Sequence, residues 1–235
     1  MTSREQGMLP EGGRYMLDPI APSLGVQRGD QVYAAILADI TGGRYAPGAK
    51  LVIEDIAGAL HVSITPVRDA LARLESQGVV VRVPYQGSFV RAFEAREIQD
   101  LYEVRVGLEV LAVTLACGRI DGPRLERLRE HQRMGERALA EGNLAAYQAY
   151  NHAFHATILN AADNDLLFRM MGNISLQMQM MIAQTIKVPG RPDRAVKEHL
   201  ALIERLAERD VEGAAALMKA HVYGALEDLE IERLA

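Results

Sequence analysis

The chain of 235 residues is 49% hydrophobic and sets 26 Lys and Arg against 31 Asp and Glu, for a net charge of −5. That apolar fraction excludes wholesale disorder, the length suits one or two domains, and no stretch approaches the roughly 20 apolar residues of a membrane helix. The lone Cys117 cannot form an internal disulfide and the N-terminus lacks the pattern of a signal peptide, so a cytoplasmic protein with no membrane partner is expected, while the acidity weighs at first against nucleic acid.

Residues 1–27, with three prolines and four glycines and no periodicity, predict a flexible arm. From Asp30, Val32, Ile36 and Ile40 recur every fourth residue until Gly42-Gly43, the pattern of an amphipathic helix. A short apolar run, Leu51-Val52-Ile53, precedes a brief helix in which Ile56 and Leu60 share a face. Residues 62–78 then predict a third helix: Ser63 as N-cap, Pro66 in the first turn, and Val67, Leu71 and Leu74 as one stripe ending at Gly78. Residues 79–90 change to two β-prone runs around a Pro-Tyr-Gln-Gly turn. Three helices and a hairpin in this order predict a winged helix-turn-helix over 28–93, whose third helix enters a major groove.

From Glu94 onward the pattern is helical throughout, over about 95–118, 121–140, 143–161, 164–186, 192–209 and 211–232, so an all-α antiparallel bundle is expected for 94–235. The fold class is therefore mainly α. The winged segment has seven basic and six acidic residues, net +1, and residues 94–235 are net −5. The acidity lies in the bundle, and a near-neutral reading head remains compatible with DNA.

Within the bundle three histidines interrupt apolar stripes. His155 shares a face with Tyr147, Asn151 and Phe154; His199 falls among Val196, Leu200 and Ile203; His221 falls with Leu217, Met218 and Ala225. One such residue reads as a core histidine, but three on separate helices suggest a metal centre, since bundle cores are where facing helices converge ligands on borderline ions such as zinc, nickel or copper. Arg105 is placed on an inward face with Leu101, Val104, Leu108 and Leu111, one turn before Glu109, and an ion pair between them is one reading of it. No Glu or Asp is placed beside His155 by spacing. Met170, Met171, Met178, Met180 and Met181 crowd one helix as packing residues, and Cys117 reads as a small buried hydrophobe.

The segment 48–90 resembles the winged-helix domain of the GntR family of bacterial transcription regulators, on VS-TPVRDALARLE-QG (62–78) and P-QGSFV (84–90). Residues 95–235 resemble the FCD effector domain of the FadR subgroup, in its six-helix VanR-like form, on EVR-GLE (103–109), N-AFH-----AADN--L (151–166), the EH pair (198–199) and His221. The resemblance implies DNA contacts from Ser63, Thr65 and Arg68. Ile64 stands where the family usually has Arg, and Glu54 stands where some members have a further Arg, which implies an altered operator sequence. In the hairpin, Gln86 and Gly87 are the implied backbone contacts, Gly87 being equally a turn glycine. The FCD pattern further implies a divalent metal, most readily zinc with nickel as an alternative, held by Asn151, His155, His199 and His221. Asn151 replaces the family's Asp and so leaves the site one positive charge richer. Arg105 is implied as the anchor of a small carboxylate effector. The expected protein is a repressor that binds a palindromic double-stranded operator as a homodimer. A metal-dependent hydrolase and an effector-independent DNA-binding protein are the competing classes.

Overall fold

The computed structural model describes the backbone of residues 28–234 and the side chains of 29–229; the arm expected over 1–27 lies outside the described residues. Helix α1 spans Arg28–Thr41, with Val32, Ile36 and Ile40 all buried as their spacing requires. It ends at Gly42-Gly43, where Gly43 takes a φ of +83° that a side-chain-bearing residue adopts only with strain. The apolar run at 51–53 is divided between two elements. Leu51 closes strand β1 (Lys50–Leu51), Val52 is the N-cap, and Ile53 begins α2 (Ile53–Leu60). Glu54 therefore lies in the first turn of α2, exposed.

Helix α3 spans Ile64–Ser76 and buries Val67, Leu71 and Leu74 together with Ala70. Ser63 occupies its N-cap with extended backbone, but the Ser63 side chain makes no capping hydrogen bond, which leaves the first N–H groups of α3 open. Strands β2 (Val80–Val83) and β3 (Gly87–Val90) form the hairpin in the register Val80↔Val90 and Val83↔Gly87, and β1 joins the free edge of β3 at Lys50↔Phe89. The sheet order β1-β3-β2 completes a winged helix-turn-helix over a core of Ile36, Leu51, Val67, Leu74 and Val79.

Six further helices build the bundle: α4 (Ala95–Arg119), α5 (Gly122–Ala140), α6 (Leu144–Ala161), α7 (Asp165–Thr185), α8 (Arg191–Glu208) and α9 (Val211–Leu234). Their starts follow from local chemistry. Asp121, Asn143 and Asn164 each accept a hydrogen bond from the backbone N–H three residues on, and proline occupies the first turns of α5 and α8. Helix α4 lies in the middle, packed on α9, α6, α7 and α8. Phe154, Ile158, Leu202, Leu206, Met218 and Val222 are the fully buried centre.

The inward face of α4 is not the one drawn from its leucines. Ile98, Tyr102, Arg105, Val106, Glu109 and Val113 are buried, whereas Val104 and Leu111 are 52% and 44% exposed. Apolar residues recur on every side of the helix, interspersed with charged ones, so local periodicity could not decide which stripe meets the bundle. Leu200 is likewise exposed, on the outer side of α8, while Ile203 is buried. Of the clustered methionines Met178, Met180 and Met181 are buried and Met170 is exposed; Cys117 is buried.

The winged module sits directly on the bundle. Gln177 of α7 donates to the carbonyl of Gln77 at the end of α3 (3.4 Å), and Gly78 follows at φ +70°, where an added Cβ would stand 2.6 Å from Gln177 Nε2. Arg91, just after β3, donates to Glu97 in the first turn of α4 (2.7 Å), and the same carboxylate accepts the Glu94 N–H (3.0 Å).

Candidate metal centre and DNA-contact surface

The side chains of Ser63, Ile64, Thr65 and Arg68 are all exposed, on the N-terminal turns of α3. Ile64 is 37% exposed, an apolar group presented to solvent at the helix start. Arg68 makes no ion pair among the described residues. Arg73, two turns on from the helix start, is committed to Asp30 at 2.9 Å and lies over the Tyr33 ring at 4.0 Å. A helix N-terminus with free N–H groups and an uncommitted guanidinium suits phosphate and base edges. Gln86 and Gly87 are exposed at the hairpin end, with Gly87 at φ +110°. The Lys50 side chain lies 3.5 Å from where a Cβ at Gly87 would be, so β1 brings a cation to the wing. Lys50 and the exposed Arg82 on β2 were not singled out from sequence; the strand pairing that places them beside the wing has no local signal.

The three histidines converge. His155 on α6, His199 on α8 and His221 on α9 are all buried, and their candidate ligand nitrogens lie within 4.8 Å of one another. Nitrogens sharing a tetrahedral zinc at about 2.0–2.1 Å stand roughly 3.4 Å apart, so small ring rotations bring them to bonding distance. The rings pack at centroid distances of 4.8 to 5.3 Å, and Phe154 stacks on His199 at 4.0 Å.

Each ring is held at Nδ1 by an acceptor from elsewhere in the bundle. Glu109 Oε2 stands 3.0 Å from His155, Gln132 Oε1 3.2 Å from His199, and Glu198 Oε2 2.6 Å from His221. Gln132 is oriented by donating its own amide to Glu136 and to the Val196 carbonyl. With Nδ1–H donated outward, Nε2 keeps its lone pair, and the buried Nε2 atoms of His155 and His199 have no hydrogen-bond partner among the described residues. Buried polar atoms are almost always paired, so two partnerless nitrogens at one point are the mark of a group that binds there. Burial pushes His199 and His221 well below the ordinary imidazole range, and the neighbouring histidines and Arg191 push the same way, so both rings are neutral as ligation requires.

Glu109 corrects the expectation that no carboxylate stands beside His155. Its two oxygens are divided, Oε1 to Arg105 Nε at 3.2 Å and Oε2 to His155. Burial alone would push its carboxyl up, but His155 and then Arg105 hold it well below the usual carboxylate range. Arg105 is thus buried and ion-paired to Glu109. Asn151 lies one turn before His155, half-buried, with no side-chain hydrogen bond among the described residues. His152 is half-buried and its pKa is lowered, by burial first and then by His155.

A second buried cation went unnoticed in the sequence. Arg191, in the first turn of α8, donates to both oxygens of Glu198 (3.2 and 3.0 Å) and to the His221 carbonyl (3.1 Å), and faces Asp228 at 3.5 Å. Arg194 completes the group on Asp228 at 2.5 Å. The only local sign of this network is the Glu198-His199 pair, whose two side chains turn to different partners.

The profile of the bacterial regulatory proteins of the gntR family matches residues 28–90, and that of the FCD domain matches residues 100–224. The Nta operon transcriptional regulator of Aminobacter aminovorans is 31% identical over 182 residues, covering 76% of this chain and 83% of that protein. The HTH-type transcriptional regulator McbR of Escherichia coli is 27% identical over 173 residues, 73% and 78% of the two chains. Among solved structures, E. coli McbR/YncC superposes with a TM-score of 0.77 at 24% identity, over 88% of this chain and 99% of that one. A regulator from Rhodococcus superposes at 0.76 with 22% identity, over 87% and 99%.

Proposed function

The chain belongs to the GntR family of bacterial regulatory proteins and carries an FCD domain, and from that premise we propose that it is a cytoplasmic, homodimeric repressor that a small carboxylate releases from a palindromic operator. Its relatives are transcription regulators rather than enzymes, and no helix among the described residues is long and apolar enough to cross a membrane. The observation that carries the sensing reading is the histidine centre: three imidazoles on three helices, each held at Nδ1, two of them with buried Nε2 atoms that have no partner among the described residues.

His155, His199 and His221 would hold a divalent ion, zinc by the softness of imidazole ligands or nickel as the alternative, with the Asn151 amide oxygen as a further ligand. Such an ion, when bound, would supply Lewis-acid affinity for a carboxylate. The chain's own residues do the rest. Glu109, Gln132 and Glu198 fix the three rings, Arg105 provides positive charge beside them, and the walls of α4, α6, α8 and α9 exclude solvent. Exposed Val104 and Leu111 on α4, with Leu166 and Met170 on the adjoining α7, supply apolar surface for a second copy. Ser63, Ile64, Thr65 and Arg68 would enter the major groove, and Gln86 and Gly87 would meet the flanking backbone.

Ligand binding can release DNA only through a difference in affinity between two arrangements of the modules, and DNA must then weaken the ligand by the same factor. The contacts that would transmit the change are Arg91 with Glu97 and Gln177 with Gln77. The test uses duplexes selected from a random pool by the purified protein. Zinc-loaded protein is expected to shift a selected duplex as a dimer and to release it on titration with at least one of acetate, succinate or citrate. Protein stripped with a chelator should keep the duplex in all three. Release that is indifferent to the metal would sink the sensing reading.

Asn151→Asp is expected to tighten zinc, because a carboxylate replaces a neutral oxygen donor beside a dication and removes one positive charge from the site. Competition with a chromophoric chelator measures it, and an unchanged zinc affinity would take Asn151 out of the ligand set.

A further inference from the structure

Tyr102 heads the fully buried side chains in size, at 0% exposure, and its hydroxyl has no hydrogen-bond partner among the described residues. A phenol in a protein interior normally finds a partner, because an unpaired buried hydroxyl is destabilising by about as much as a lost hydrogen bond. The orphan is not in an apolar region. It lies on the inward face of α4 one turn before Arg105, whose guanidinium carbon is 5.7 Å from the Tyr102 ring centre. Burial pushes the phenol up, against the opposing pull of Arg105, by its charge and by the close approach of its guanidinium to the hydroxyl, and of Arg191, so the hydroxyl stays protonated, and a guanidinium, being a donor only, gives that proton no acceptor.

Those two arginines are the ones that lead to the histidines. Arg105 reaches His155 through Glu109, and Arg191 touches His221 itself. Arg191 has its donors committed to Glu198, the His221 carbonyl and Asp228. Arg105 commits Nε to Glu109, and its Nη1 and Nη2 make no hydrogen bond of standard geometry to the described residues. An orphan hydroxyl donor and the uncommitted half of a guanidinium therefore lie side by side, on the helix that flanks the histidine centre.

We infer that Tyr102 is an effector-binding residue, its hydroxyl donating to the same carboxylate that accepts from Arg105 Nη1 and Nη2. This rests on the carboxylate-sensing reading above. It gives the orphan hydroxyl its missing acceptor and supplies the specificity that charge alone lacks, since a site built around a buried hydroxyl discriminates against ligands that leave it unpaired.

The test compares wild-type protein with Tyr102→Phe, both loaded with Co²⁺ to the same stoichiometry and titrated with acetate, succinate and citrate. Binding is followed by calorimetry and by the visible absorption of the cobalt, and the ligand-free proteins are melted in parallel. The variant is expected to bind the responding carboxylate about ten- to a hundredfold more weakly, the loss of one hydrogen bond to a charged group. Without carboxylate it should melt at or above the wild-type temperature, because the unpaired hydroxyl is gone and the ring still fills its place. Equal affinity in the two proteins would assign Tyr102 to packing alone and overturn the inference, as would a ligand-free variant that melts lower, which would mean that the hydroxyl is already satisfied. A wild-type protein that responds to none of the three anions would overturn the sensing reading and the inference with it.

Discussion

Arg68→Ala is expected to reduce affinity for a selected operator by roughly 30-fold to 25,000-fold, at about 1–3 kcal/mol for each groove-facing arginine and two copies in a dimer. The position has what such an effect needs. Arg68 is exposed on the second turn of α3, it forms no ion pair among the described residues, and its neighbour in kind, Arg73, is tied to Asp30 and cannot substitute. The same exposure means that the fold should not notice the change, and the stability is expected to stay within about 0.5 kcal/mol of wild type. Fluorescence anisotropy on the selected duplex and on a scrambled one separates the two terms. Loss on both duplexes alike would make Arg68 a phosphate contact, whereas loss confined to the selected duplex makes it a base contact. Unchanged binding to both would remove it from the interface.

His199→Ala is expected to remove most of the zinc-dependent part of stability. In the wild type, zinc at a thousandfold excess over its dissociation constant adds about 4 kcal/mol to the folded state, a rise in melting temperature on the order of 10 °C for a chain of this size. Removing one of three imidazoles should weaken zinc by more than about a hundredfold, since the loss of a mere supporting residue around a metal already costs 10–100-fold. The alanine also opens space beside Phe154, whose ring stacks on His199, so the metal-free variant will itself be less stable. The decisive quantity is therefore the difference between melts with zinc and with chelator inside each protein, in which that defect cancels. A zinc-induced shift as large in the variant as in the wild type would show that the ion is held elsewhere.

Much of this molecule is legible in its sequence because its elements are locally determined. Val32, Ile36 and Ile40, or Val67, Leu71 and Leu74, are buried for the reason their spacing suggests, and the bundle helices begin where Asp121, Asn143 and Asn164 can cap them. The histidines were legible for a weaker reason: each is a polar interruption of an apolar stripe, three of them on separate helices of one bundle suggest a common centre, and the family pattern adds Asn151 to the set. What surrounds them was not legible. The bonds from His155 to Glu109, His199 to Gln132 and His221 to Glu198 span 46, 67 and 23 positions, and such distances are set by how helices pack, not by any period along one of them. Glu109 shows the limit well. Its partnership with Arg105 one turn away could be read from spacing, while its second oxygen, the one that holds His155, could not. Helix α4 failed in the opposite sense, since its apolar residues are spread round it with no dominant stripe, so that the exposed Val104 and Leu111 look like core.

The length of α4 has a mechanical meaning. Its 25 residues make a rod about 37 Å long, with Glu109 some 21 Å from the end at which Glu94, Glu97 and Arg91 join it to the wing. A tilt of about 5° pivoting at Glu109 would carry that end through about 2 Å. In a dimer the two rods move together, so the displacement counts twice in the separation of the reading heads, against half-sites that repeat with the helical pitch of DNA. The joint at Arg91 and Glu97 is then less a hinge than a stiff coupling, and gearing, more than the size of any movement at the histidines, is what would turn a bound ion and anion into a mismatch with DNA.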